Sequence, residues 1–126
     1  MTIQKSLDDL RRNLPGCHLT AFGDLSSGLI LRSSSEARRA REELDQICVD
    51  AMQAFALGDA RSGDAGGKGD ACRTALSFTA EKTLVCGRHD PEQGDMYCAL
   101  IEAGQDIAHA ITCIERVATE MAKDVR

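Results

Sequence analysis

The order in which helical and extended patterns follow one another constrains this chain more than any single residue does. A helical pattern over 2–14 leads into a pair of extended runs over 17–32, and a long amphipathic helix follows over 34–57. Three more extended runs over 72–101 and a last helix over 106–123 complete the chain. Two groups of turn-linked strands with helices before, between and after them describe an α/β fold of the α+β kind. It has a single five-stranded antiparallel sheet with helices on both faces, in the order α-β-β-α-β-β-β-α. One domain over 1–126 accommodates all of it, because a chain of 126 residues buries roughly two-thirds of its unfolded surface around one core.

Local signals support each segment. Ile3, Leu7, Leu10 and Leu14 recur at helical spacing behind Thr2, a residue suited to the N-cap, and Pro15-Gly16 stops the run. Cys17 to Phe22 and Gly28 to Arg32 read as a hairpin around Gly23-Asp24-Leu25-Ser26-Ser27. Ser33 stands three residues before Glu36, the spacing of a capping box. Ala37, Ala40, Leu44, Ile47, Cys48, Ala51 and Phe55 then form an apolar stripe, widened on its shoulder by Val49, Met52 and Ala56. The Gly-, Asp- and Ser-rich segment over 57–71 reads as a flexible loop. Arg73 to Phe78, Lys82 to Cys86 and Met96 to Ile101 read as strands. The last two are nearly continuous apolar runs, which places helices on both sides of them. In the final helix Ile107, Ala110, Ile111, Ile114, Val117, Ala118 and Met121 share one face, with His109, Cys113, Arg116 and Glu120 opposite.

Composition excludes several classes of function. A formal net charge of -5 with three Phe and one Tyr lacks the basic stripe and stacking rings of a nucleic-acid surface. The acidic and basic residues of MTIQKSLDDLRR stand where a signal peptide has an apolar stretch. No run approaches the roughly 20 apolar residues of a membrane span, so a cytoplasmic protein without membrane insertion is expected. The six cysteines fall mostly in apolar runs, where they act as small hydrophobes rather than disulfide partners.

No chemical motif is complete. Gly66-Gly67-Lys68-Gly69-Asp70 resembles a phosphate loop, but Ser62 and Gly69 stand where the motif needs Gly and Ser or Thr, and a strand follows instead of a helix. Cys86 and His89, with Cys98 on the next strand, make half a zinc site and lack a second tight pair. His109 and Cys113 share a helical face at i, i+4 and read as solvated surface. No catalytic residue, cofactor site or metal site is assigned, and binding rather than catalysis is expected. Thr74, Leu76 and Phe78 lie on a strand that either forms an apolar sheet edge, inviting a second copy, or sits in the interior. Val49, Met52 and Ala56 either extend that contact or pack in the core. The run of charges that includes Arg38, Arg41, Glu42 and Asp45 is either a solvated face or a partner-docking patch.

The string LPGCHLTAFGDLSSGLILRSS resembles the opening of roadblock (dynein light chain) domains: a helix end, Pro-Gly, and a hairpin whose second strand starts with Gly and aliphatics. LVCGRHDPEQGDMYCALIEAG and DIAHAITCIERVATEM resemble that family's last hairpin and closing helix, so the resemblance covers essentially the whole chain. It departs from the usual tight Asp-Gly turn at Asp24-Leu25-Ser26-Ser27-Gly28 and carries a Gly-rich loop before the third strand. The resemblance implies a profilin-like fold and a homodimer joined edge to edge through the third strands, with the two long helices side by side. On this sequence that puts Arg73 to Phe78 in the junction and Val49, Met52 and Ala56 near the helix contact. It further implies a non-enzymatic regulator or scaffold for a small Ras-like GTPase. The alternatives are a nucleotide-independent adaptor and, after it, a small-ligand or metal sensor.

Overall fold

A computed structural model describes residues 2–64, 73–90 and 94–124. Its elements follow the order read from the sequence: α1 (Ile3–Asn13), β1 (Cys17–Asp24), β2 (Leu29–Ser35), α2 (Arg41–Asp64), β3 (Thr74–Phe78), β4 (Lys82–Gly87), β5 (Asp95–Glu102) and α3 (Ile107–Asp124). The five strands form one antiparallel sheet in the order β2-β1-β5-β4-β3, so β2 and β3 are its two edges.

Helices cover both faces, as the apolar runs of β4 and β5 require. On one face α2 seats Ile47, Cys48, Ala51 and Phe55 against Leu19, Ala21, Ile30, Ala75, Leu84, Cys86, Met96 and Cys98. On the other, α1 and α3 bury Leu7, Leu10, Ala110, Ile114, Ala118 and Met121 against Cys17, Phe22, Val85, Tyr97, Ala99 and Ile101. Thr2 caps α1 as its position suggested, its Oγ1 accepting from the Lys5 N–H at 3.1 Å. Gly16 then turns the chain with φ +68°, in the left-handed region that glycine tolerates. At Gly87 a methyl group would come within 2.3 Å of Ile114 Cγ2, so glycine is what lets α3 close onto β4.

The long helix is shifted relative to the sequence reading. It was expected over 34–57 and runs from Arg41 to Asp64. At its start, Ser33, Ser34 and Ser35 stay in β2, opposite Ala21, Thr20 and Leu19, so Ser33 caps no helix. Glu36 lies 3.9 Å from Arg11 rather than in a capping box. Glu42 and Glu43 occupy the first turn instead, where their charge complements the helix dipole. At the other end the expected flexible loop over 57–71 gives way to helix through 64. Phe55 anchors the preceding turn in the core, and extending a formed helix costs far less than nucleating one, even across Gly58. The Gly66 to Asp70 segment and Cys72 lie outside the described residues. Cys113, read as surface, is buried, because α1 packs beside α3 and covers that flank.

Candidate protein interface

The two sheet edges differ in what their outward backbone groups meet. Antiparallel neighbours alternate between pairs that exchange hydrogen bonds and pairs that do not. Between β3 and β4 the bonds Arg88 N–H to Arg73 C=O (2.9 Å) and Thr79 N–H to Lys82 C=O (2.8 Å) mark bonded pairs. The pairs Ala75 with Cys86 and Ser77 with Leu84 are then bonded as well. Thr74, Leu76 and Phe78 are left to turn their backbone N–H and C=O toward the outer edge. No strand covers that edge among the described residues.

At β2 the same counting gives the opposite result. Leu25 N–H donates to Gly94 C=O at 2.7 Å, so the odd-numbered residues of β1 bond β5 and the even-numbered ones bond β2. Ile30 and Ser33, opposite Gly23 and Ala21, therefore turn their carbonyls outward. Arg41 Nη1 donates to the Ile30 carbonyl at 3.0 Å, and Gln4 Nε2 to the Ser33 carbonyl at 3.1 Å. Side chains from α1 and α2 thus occupy the β2 edge, one way of blunting an exposed strand, whereas no strand lies beside β3 on its outer side among the described residues.

Exposed apolar side chains occur on β3 and on α2. Phe78 is 61% exposed at the end of β3, and on α2 Leu57 is 67%, Val49 40% and Met52 39% exposed, with Ala56 exposed as well. The residues singled out from the sequence are not on one face, however. Thr74 and Leu76 point to the α3 side, where Thr74 Oγ1 donates to Glu115 Oε1 at 2.8 Å and Leu76 packs on the core beneath α3. Val49, Met52 and Ala56 lie on the opposite side of the sheet with α2. The two sets therefore do not form one continuous apolar face.

On a wheel of about 100° per residue, Met52 falls on the α2 flank that also carries Arg41. Both reach toward β2: Arg41 to Ile30, and Met52 to the hairpin turn, where its sulfur would lie 3.6 Å from a methyl at Gly28. Ala54 and Leu57 occupy the other flank, on the side of β3. Leu57 was missed because Gly58 and the polar residues after it look like a loop. Its position three residues after Ala54, on the same flank of the helix, is the signal that marks it.

The four charged residues proposed as a docking patch are separated by the helix start. Arg38 is exposed in the connection ahead of α2, and Glu42 is exposed in the first turn. Arg41 Nε lies 3.3 Å from Asp45 Oδ1 while its Nη1 holds the β2 carbonyl. Arg41 and Asp45 are therefore engaged in closing the β2 edge.

The thiols show no assembled metal centre. Cys86 and Cys98 are fully buried under α2, while His89 lies past the end of β4, and no cluster of three or more potential ligands exists among the described residues. His109 Nε2 lies 3.7 Å from Cys113 Sγ. Also among the described residues, no helix is long and apolar enough to cross a membrane.

Burial sets the chemistry of these groups. It pushes the Cys17 thiol up to about 11 and the Cys98 thiol up to about 12, from an ordinary 9.0, and raises Cys48 as well. The Tyr97 phenol is pushed from 10.0 to about 12 for the same reason. A group whose folded value is raised contributes stability that is complete below its unfolded value and is lost as the pH climbs through the folded one. Stability is therefore expected to be level up to about pH 9 and to fall above it, each fully buried thiol contributing about 1.4 kcal/mol per pH unit. Urea unfolding at pH 8 and pH 10 measures the fall, and Cys98→Ala should make it shallower.

No protein-family profile matches the sequence, and no curated protein is similar to it in sequence. The structure does have counterparts. A Roadblock/LC7 domain from Streptomyces avermitilis superposes with a TM-score of 0.79 at 14% identity, over 99% of this chain and 98% of that one. MglB from Myxococcus xanthus gives 0.75 at 10% identity, over 98% and 94% of the two chains. MglC from the same organism gives 0.71 at 8%, over 98% and 99%. A further similar structure, covering 92% of this chain at a TM-score of 0.66, is an MglB with a tetrameric arrangement.

Proposed function

We propose that this chain, which has the roadblock fold, works as a homodimeric, non-enzymatic regulator or scaffold for a small Ras-like GTPase. The observation that carries this reading is the asymmetry of the sheet. β2 is closed by Arg41 and Gln4, while among the described residues no further strand lies on the outer side of β3, where Phe78 is exposed and Leu57 is exposed on the flank of α2 nearest it. Two copies paired antiparallel through β3 form one ten-stranded sheet and bring their α2 helices together on the same side. The outward backbone groups of Leu76 and Phe78 supply the hydrogen bonds. The exposed apolar residues of α2 and Phe78 supply the hydrophobic part, each fully buried large side chain being worth about 1.5–3 kcal/mol. A two-fold contact of this kind is self-complementary and closes on itself.

The GTPase follows from the roadblock resemblance. Partners of this kind act by shaping the switch loops of the GTPase, so they need no catalytic group of their own. The paired α2 helices then present a two-fold surface on which Arg38 and Glu42 remain exposed for a partner. Affinity capture from native extract, run in parallel with a non-hydrolysable GTP analogue and with GDP, tests the role. The expected result is a small GTPase enriched in one nucleotide state. Retention of the same non-GTPase partners in both states would replace this reading with a nucleotide-independent adaptor.

A further inference from the structure

Two of the buried thiols face each other across adjacent strands. The β4–β5 register places Cys86 directly opposite Cys98, and both side chains lie in the core beneath α2. The Ala103 N–H donates to Glu81 C=O at 2.9 Å, continuing the same register and marking a bonded pair. Counting back along the ladder makes Thr83 with Ile101 and Val85 with Ala99 bonded pairs and Cys86 with Cys98 a non-bonded one. In a non-bonded pair the Cα atoms are about 4.5 Å apart and the side chains approach most closely. That spacing lies within the roughly 4.4–6.8 Å range of disulfide-linked Cα pairs. All five described cysteines, Cys17, Cys48, Cys86, Cys98 and Cys113, carry thiols and not disulfides.

We propose that Cys86 and Cys98 form a reversible cross-strand disulfide when the protein meets hydrogen peroxide. One thiolate attacks a peroxide oxygen, the O–O bond breaks, and a sulfenic acid and one water result. The second sulfur attacks the sulfenic sulfur, the S–O bond breaks, and a second water leaves as the S–S bond forms. The two thiols together lose two hydrogens and two electrons, which the peroxide takes up. Both side chains are fully buried, and burial keeps the Cys98 thiol protonated. The reaction therefore proceeds through transient opening of the α2 face, and its rate rises with pH. The product ties β4 to β5 at the centre of the core face on which α2 rests. Cys48 belongs to the same core cluster but approaches from the helix packed above. The ladder fixes Cys86 and Cys98 opposite one another, which makes them the partners.

The test treats the folded wild-type protein with hydrogen peroxide, blocks remaining thiols under denaturing conditions, and maps linked peptides by mass spectrometry without reduction. The expected result is loss of two hydrogens and a peptide pair joining Cys86 to Cys98, reversed by dithiothreitol. The linkage should be unaffected in Cys48→Ala and absent in Cys98→Ala. The oxidised protein should unfold at a higher urea concentration. Linkage of either thiol to a different cysteine, or both thiols still open to alkylation after peroxide, overturns the proposal. Because the mapping is done on wild-type protein, the result stands whether or not the variants fold.

Discussion

Phe78→Pro combined with Leu57→Asp is expected to turn the proposed homodimer into a folded monomer at micromolar concentration. Proline at 78 removes a backbone N–H that the β3–β4 ladder does not use, so what it deletes is a donor on the outer edge. Aspartate at 57 places a charge at a site that is 67% exposed in the single chain and costs little there. Buried in a junction without a partner, the same charge costs about 3–5 kcal/mol per chain, and a single such cost already raises the dissociation constant roughly 10²- to 10⁴-fold. Leu76→Asp is the less discriminating variant, since Leu76 packs on the core beneath α3 and its loss weakens the fold as well as the edge. Sedimentation or light scattering gives the mass, and far-UV circular dichroism reports whether the monomer is folded. A doubly substituted protein that keeps the dimer mass would place the junction elsewhere. As a control, Arg41→Ala together with Gln4→Ala uncovers the β2 carbonyls and leaves the β3 edge intact.

The sequence displays the architecture well because each element carries its own period or breaker. The i, i+4 spacing of α1 and α3, the Pro15-Gly16 stop and the continuous apolar runs of β4 and β5 are all local signals, and local signals can be read without knowing the neighbours. What was not legible depended on contacts made at a distance. Ser33 looks like a cap because its spacing to Glu36 is right, but three hydrogen-bonding serines are also acceptable on an edge strand, and pairing with β1 decides between the two. Helix α2 continues past Gly58 because Phe55 is held by the sheet, which composition does not show. The interface suffered most. Alternation along β3 puts Thr74 and Leu76 on the side away from α2, a consequence of which strand face α2 covers. The role of Arg41 as a cover for β2 likewise appears only once the Ile30 carbonyl is known to face outward.

That second half of α2 is where the candidate interface depends on the core, and Phe55 tests it. Its ring is 2% exposed, and the Arg88 guanidinium carbon lies 4.4 Å from the ring centroid. Phe55→Ala removes a large buried side chain, which costs about 3–5 kcal/mol. It also strips the aromatic face from a guanidinium whose residue is itself only 7% exposed, an interaction worth up to about 2 kcal/mol when desolvated. Set against a typical total of about 5–15 kcal/mol, the variant stands near the limit of folding. Phe55→Leu keeps most of the apolar volume and loses the ring, so its cost should be clearly smaller, and the difference between the two variants separates packing from the contact with Arg88. Urea unfolding is best done in the Phe78→Pro, Leu57→Asp background, where chain dissociation does not enter the measured stability. A cost below about 0.5 kcal/mol for Phe55→Ala, the range of an ordinary surface change, would mean that α2 is not seated at this turn. The helix would then fail to hold Leu57 beside β3, and the helix-to-helix half of the proposed dimer would lose its support while the strand edge kept its own.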